Sequence, residues 1–183
     1  MAIQVANFQG IGAISQSIRL LTYSVYSHTA AHFTEDMEVD IAGMRHFIAA
    51  GSVIEAWAGG VRLVPSLSAQ HTPGTKVDLM QHKTPLTRDQ EQIAAKFLMG
   101  HVLKKTKYAY RNVLRFVPIV RIVMPEPPPL NYLRTRVYCT ELVLEAFIAC
   151  GRPLFERCPA WEVPPRDPPR STVLYFDKRV TTH

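Results

Sequence analysis

Two short β-rich runs, Ser52–Trp57 (SVIEAW) and Val61–Pro65 (VRLVP), flank the pair Gly59-Gly60. Branched and aromatic side chains suit a pleated, half-buried strand, and glycines supply the backbone freedom of a tight reversal, so the stretch predicts a β-hairpin. A hairpin commits part of the chain to antiparallel sheet. Helical patterns elsewhere then make the expected class α+β, with a small antiparallel sheet packed against helices.

Ile11, Ile14, Ile18, Leu21 and Val25 recur at three- and four-residue steps, a helical face that starts after Gly10–Gly12 and fades in Thr22–Tyr26. Ser27–Phe33 (SHTAAHF) reads as a strand, and 34–51 as an acidic, polar insert with few signals. Residues 66–86 read as loop, with a turn at Pro73-Gly74. Thr87 with Gln90 three residues on is a capping box; Ile93, Ala94, Phe97 and Leu98 supply a helix face, and helical character continues, with a break near Gly100, toward Phe116. Pro118, Pro125 and Pro127–Pro129 exclude a regular helix between Val117 and Pro129. A second clean helix runs from about Tyr138 to Cys150, buries Leu142, Val143, Ala146 and Phe147, and stops at Gly151 and Pro153. A proline-rich loop from Pro159 to Pro169 leads to an edge strand at Ser171–Phe176.

With 183 residues, 47% of them apolar and 20% charged, the chain can build one core, and a single domain over 1–183 with a proline-rich tail from about 159 is expected. The net charge of +6 favours anionic partners such as cell-wall polymer. The basic residues are scattered and do not interleave with aromatics, so nucleic acid is not an expected partner. Cys139, Cys150 and Cys158 are too few for a disulfide framework, and no CxxC pair offers a zinc site, which suits a reducing compartment. Neither a secretory signal nor a membrane-spanning run is read, so the expectation is a protein that is cytoplasmic as synthesised and reaches a cell wall by other means.

Cys139 falls in the first turn of its helix, where unpaired backbone N–H groups and the positive helix end favour a thiolate. A thiol nucleophile needs a base within reach and a third group to orient that base. On a strand, His28 and His32 share a face; on a helix they would sit at i, i+4 like zinc ligands, but Thr29 stands where the metalloprotease pattern requires Glu. No metal or cofactor is therefore expected. Glu55 interrupts Val53-Ile54-Glu55-Ala56-Trp57, and reads equally as an exposed strand residue or as the acceptor for the base's second nitrogen.

Three segments carry a resemblance: Ser17-Ile18-Arg19 to Thr22 with Tyr26-Ser27-His28, then Val53-Ile54-Glu55-Ala56 with Gly60-Val61, then Tyr138-Cys139-Thr140-Glu141-Leu142-Val143. In this order they resemble the circularly permuted, YiiX-like branch of the NlpC-type papain-like cysteine hydrolases, over about residues 10–150. The resemblance implies a permuted papain-like fold, with Cys139 as nucleophile, His28 as base and Glu55 as the orienting residue. His32, which departs from the family's apolar strand, competes for that third place and with Tyr138 would line the site. The implied reaction is cleavage of an amide bond through a thioester, in a peptidoglycan-type peptide; the alternatives are a lipid- or acyl-directed hydrolase or acyltransferase, and a non-catalytic binding module. Backbone N–H groups at the start of the cysteine helix are the implied oxyanion donors.

Overall fold

The computed structural model describes residues 2–22, 24–110, 113, 136–155, 158, 160–164 and 167–183. Its frame is a six-stranded antiparallel sheet in the order β10-β7-β1-β2-β5-β6. The strands are β1 (Ile3–Gln9), β2 (His28–Phe33), β5 (Val53–Trp57), β6 (Gly60–Val64), β7 (Lys76–His82) and β10 (Leu174–Thr181). This is larger than the small sheet expected, because β1 was not read at all and β7 falls in the stretch read as loop. Both are central strands, and their alternation is blurred by polar residues that the fold buries with partners. Asn7 accepts from the Thr29 hydroxyl at 3.1 Å, and Gln4 contacts the His32 ring at 3.1 Å.

The sheet is covered on both faces. Ile3, Val5, Ala31, Phe33, Ile54 and Ala56 pack with the helices, while Ala6, Phe8, Ala30, Val53, Val77 and Leu79 form a second cluster on the opposite side, closed by Leu67 and Ala69. Alternate strand residues thus serve two cores, as the two-residue period of a strand requires. The acidic insert is a second hairpin, β3 (Met37–Ile41) with β4 (Met44–Ile48), turned by Ala42 and Gly43, both at positive φ, with Asp40 accepting from the Gly43 amide at 3.0 Å.

Among the described residues, three α-helices accompany these strands. α1 (Ala13–Thr22) forms where the periodicity places it, though Ile11 and Val25 beside it are exposed. α2 (Arg88–Leu103) realises the Thr87–Gln90 capping box and buries Ala94, Ala95, Leu98 and Met99. It ends at Lys104 instead of continuing toward Phe116: Lys105 takes a positive φ, and the chain passes into β8 (Lys107–Tyr108), which pairs in parallel with β9 (Arg136–Val137). The proline-rich segment 117–129 lies outside the described residues. α3 (Cys139–Ala149) follows β9 directly and packs on α2, β2 and β5, so that it is buried on nearly every side. Gly151, at φ 73°, closes it, and its amide bonds the Ile148 carbonyl at 2.9 Å. The C-terminal strand β10 runs five residues beyond the expected Phe176, with a bulge between Phe176 and Lys178. No described helix is long and apolar enough to cross a membrane.

The β5–β6 turn is tightly constrained. Gly60 has φ 119°, and a Cβ there would lie 2.6 Å from the Thr106 carbonyl oxygen, which itself accepts from the Val61 amide at 2.8 Å. Gly60→Ala combines left-handed strain with a backbone clash and should cost about 2 kcal/mol or more. A thermal melt should register this as a Tm lowered by roughly 4–8 °C; an unchanged Tm would show that the turn relaxes freely.

Candidate active site

Strand pairing between β2 and β5 covers Ala31↔Ile54 and His32↔Val53 and ends there. Toward their other ends, His28 and Thr29 on β2 and Glu55 to Trp57 on β5 are not laddered to one another. The gap matters because it leaves backbone groups and side chains at that end of the sheet available to other elements. The start of α3 fills it. The Thr140 hydroxyl donates to Thr29 Oγ1 at 3.4 Å, which sets Cys139 against β2, where the His28 imidazole and the Thr29 amide both act to lower its thiol. Tyr138 fixes the helix start from behind: its hydroxyl lies 2.8 and 2.9 Å from the carbonyls of Ala160 and Val163. Tyr138 is therefore an anchor for the Cys139 turn, its side chain directed at the 160–163 turn.

Glu55 has no exposed surface and a full set of donors. Its Oε2 accepts from His28 Nε2 at 2.7 Å and from His71 Nε2 at 3.1 Å. Its Oε1 accepts from Arg62 Nε at 2.8 Å and Nη2 at 2.6 Å, and Arg62 also bonds Gln70. Arg62 stands directly opposite Glu55 in the β5–β6 register, so the hairpin itself delivers the guanidinium. Glu55 occupies His28 Nε2, which leaves Nδ1 as the nitrogen that meets the sulfur. Around these polar groups stand aromatic walls. His71 stacks on Phe8 at 4.2 Å, and Trp57 presents its ring edge-on to both His28 at 5.0 Å and His71 at 5.2 Å.

This packing decides the charges. Burial alone would push the Cys139 thiol up, but the hydrogen bond and charge of His28, with the Thr29 amide and the Tyr108 hydroxyl, outweigh it and hold the thiol below its ordinary range. Burial likewise opposes the imidazolium of His28, yet the bonds to Cys139 and Glu55 and their negative charges raise it to about 9. Burial opposes the Glu55 carboxylate too, and the hydrogen bonds from His28 and His71 hold it well below the usual carboxylate range. The arrangement thus favours a thiolate at Cys139 and an imidazolium at His28, set against the carboxylate–guanidinium pair of Glu55 and Arg62.

The sequence thus named three residues that the structure brings together, Cys139, His28 and Glu55. His32 goes elsewhere: its ring meets Gln4 at 3.1 Å, and the groups bonded to Glu55 are His28, His71 and Arg62. Three contributors were not foreseen. Arg62 could have been found from the hairpin register, but His71 sits in a loop and Tyr108, whose hydroxyl lies 4.0 Å from the Cys139 sulfur, in a two-residue strand. Neither position carries a local sequence signal. Cys150 is buried and its thiol is pushed up by that burial, with the sulfur donating to the Phe147 carbonyl at 3.2 Å.

A pocket of 330 Å³ opens on the His28 side of the site, lined by Phe8, Gly10, Ser27, His28, Trp57 and His71 among others. One ligand atom each from His28, Glu55 and His71 lie within 4.8 Å of one another, a set that could hold a metal ion.

The same fold occurs in a solved structure. The metalloprotein yiiX from Escherichia coli superposes with a TM-score of 0.57 over 98% of this chain and 97% of that one, at 16% sequence identity. The chain is YiiX-like in fold. No family model matches the sequence, and no curated protein matches it.

The raised His28 pKa has a consequence for stability. A group whose folded pKa lies above its ordinary 6.5 contributes stability in full below that pH, and loses it as pH rises through about 9. Glu55 has the opposite sign, its contribution being present above about 4.5 and lost only in strong acid. Cys139 opposes His28: its thiol, lowered from an ordinary value near 9, contributes stability that grows as pH rises toward 9, so the two offset each other in the wild type. In Cys139→Ser, where Glu55 still favours the imidazolium of His28, urea midpoints should fall as pH rises from 6 to 10, and adding His28→Gln should flatten the fall. A midpoint that stays level in Cys139→Ser would contradict the raised imidazole.

Proposed function

We propose that the chain is a thiol-dependent hydrolase of the papain-like kind, with Cys139 as nucleophile, His28 as the proton carrier and Glu55 as the residue that orients it. The observation that carries this reading is the buried relay from Cys139 through His28 to Glu55, in which the thiol is held low and the imidazole high. A structural cysteine needs none of these partners.

The reaction follows from the groups in place. The Cys139 sulfur adds to an amide or ester carbonyl, forming a C–S bond and an oxyanion. The Tyr108 hydroxyl and the N–H groups at the start of α3 are the donors nearest to hand for that oxyanion. The imidazolium of His28 gives its Nδ1 proton to the leaving nitrogen or oxygen as the C–N or C–O bond breaks, leaving a thioester. Water then adds to the thioester, passing a proton to His28, and the acid departs as the C–S bond breaks. Throughout, Glu55 keeps the ring oriented and favours its charged form.

For the substrate we favour an amide in a wall-type peptide, since a basic protein associates with anionic polymer. The pocket beside His28 mixes aromatic rings with hydroxyls and contains no Lys, Arg, Asp or Glu, which suits a neutral segment of that substrate. A second reading comes from the fold neighbour's description as a metalloprotein. Two imidazoles and a carboxylate are a donor set that fits zinc-type ions, and His28, Glu55 and His71 would hold one. A bound ion would supply Lewis-acid character at the pocket wall. Against a resident ion stands Arg62, whose charge already neutralises the Glu55 carboxylate.

Purified muropeptides and fluorogenic acyl esters of increasing chain length, offered to the same preparation, separate the substrate classes. Peptide release without chain-length dependence is the expected result; rates that climb with acyl length while muropeptides stay intact would hand the site to an acyl substrate. With whichever substrate is cleaved, Cys139→Ala should abolish turnover. Glu55→Gln should lower kcat/KM by about 10²–10³-fold and move the alkaline limb of the pH profile from near 9 toward lower pH, because the charge that raises His28 is gone. A profile that stays in place would remove Glu55 from its role.

A further inference from the structure

We propose that the His28–Glu55–His71 cluster is a binding site for an exchangeable divalent ion of the zinc type, and that an ion held there switches the Cys139 thiol off. The switch rests on the thiol-hydrolase reading; the binding itself does not.

The donors are already gathered. Both Nε2 atoms point at the same oxygen of Glu55, at 2.7 and 3.1 Å, and the three ligand atoms lie within 4.8 Å of one another. Zinc bonds of about 2.0–2.2 Å set tetrahedral ligand atoms about 3.3–3.6 Å apart, so Oε2 must draw back a few tenths of an ångström from each ring, and a pair at the 4.8 Å limit must close by roughly 1–1.5 Å. The rings cannot wander, since Phe8 stacks on His71 and Trp57 packs edge-on against both imidazoles. Such packing orients ligands before an ion arrives. Access is provided as well, because the 330 Å³ pocket is lined by both His28 and His71, with room for water as a further ligand. Arg62 binds Oε1 and leaves Oε2 to face the imidazoles. Its charge weakens the site for a cation, so binding is reversible.

Exclusion of the thiol chemistry follows from the imidazole having a single lone pair for the ion and a single proton to place. Ligation through His28 Nε2 displaces the proton that Nε2 now donates to Glu55, and that proton leaves to solvent. The proton that remains is on Nδ1, facing the sulfur. Nδ1 can then neither accept the Cys139 proton nor, as part of a metal-bound neutral ring, give its own readily to a leaving group. Ion binding and proton transfer through His28 therefore exclude one another.

The test uses the full chain, treated with chelator and dialysed, titrated with zinc chloride against a chromophoric zinc indicator. Turnover of whichever muropeptide or acyl ester the protein cleaves is followed in the same samples, and each variant's Tm is recorded. One ion should bind with a micromolar or tighter Kd. His71→Ala, His71→Gln and Glu55→Gln should each weaken binding more than tenfold, and Cys139→Ser should leave it unchanged. Saturating zinc should slow wild-type turnover at least tenfold, and should slow each His71 variant far less at the same concentration. Binding that disappears in Cys139→Ser would place the ion on the thiol and overturn the proposal. So would wild-type turnover that stays fast with zinc bound. Turnover with no zinc uptake would sink the metal site alone, whereas zinc-free protein that turns over neither substrate would sink the hydrolase reading and the switch together.

Discussion

A carboxylate with no exposed surface is the constraint around which this fold is arranged. Removing an ionised group from water costs several kcal/mol unless charge and hydrogen bonds replace the water. Glu55 obtains that replacement from three separate parts of the chain: Arg62 across the hairpin, His28 from β2 and His71 from the loop after β6. The hairpin register, the splayed end of β2 and the path of the 65–75 loop are thereby tied to one side chain. A one-residue slip of β5 against β6 would put Glu55 on the opposite face and strand its charge among the apolar residues that meet the helices.

The same logic explains why the cysteine sits where it does. The β2–β5 ladder stops short, and the unpaired end gives the first turn of α3 both a backbone amide and an imidazole to meet. Tyr138 and Thr140, on either side of Cys139, tie that turn to the 160–163 segment and to β2. Held on both flanks, the sulfur has little freedom, and the energy of a buried thiolate is met by neighbours that cannot move away. Tight packing at this point sets the chemistry as directly as charge does.

Elements with a strong local signal were legible in the sequence. The β5–β6 hairpin announced itself through Gly59-Gly60, α2 through its capping box and α3 through the apolar stripe closed by Gly151. Cys139, His28 and Glu55 were singled out together through the family resemblance, since the local pattern alone left Glu55 open between an exposed strand residue and an acceptor. Central strands were harder. β1 and β7 bury both faces, so Gln4, Asn7 and Asp78 break the expected alternation, and their burial is made tolerable by partners distant in the chain, among them His32, Thr29 and Arg179. The extent of α2 was overread because helical propensity persists past Leu103, whereas pairing of Lys107–Tyr108 with Arg136–Val137 is a long-range fact. His71 is a case of a different sort: its role comes wholly from where the loop returns, which no local pattern encodes.

The distance along the chain between β2 and α3 has a bearing on how the protein comes to exist. Its imidazole is made early and its thiol late, with three of the six sheet strands made between them. Closing so long a separation carries an entropic cost that is recovered only once many non-local contacts have formed. A growing or partly folded chain therefore holds an ordinary cysteine, and the lowered thiol comes into being only with completion of the architecture. The acidity of Cys139 is in that sense a signature of maturity.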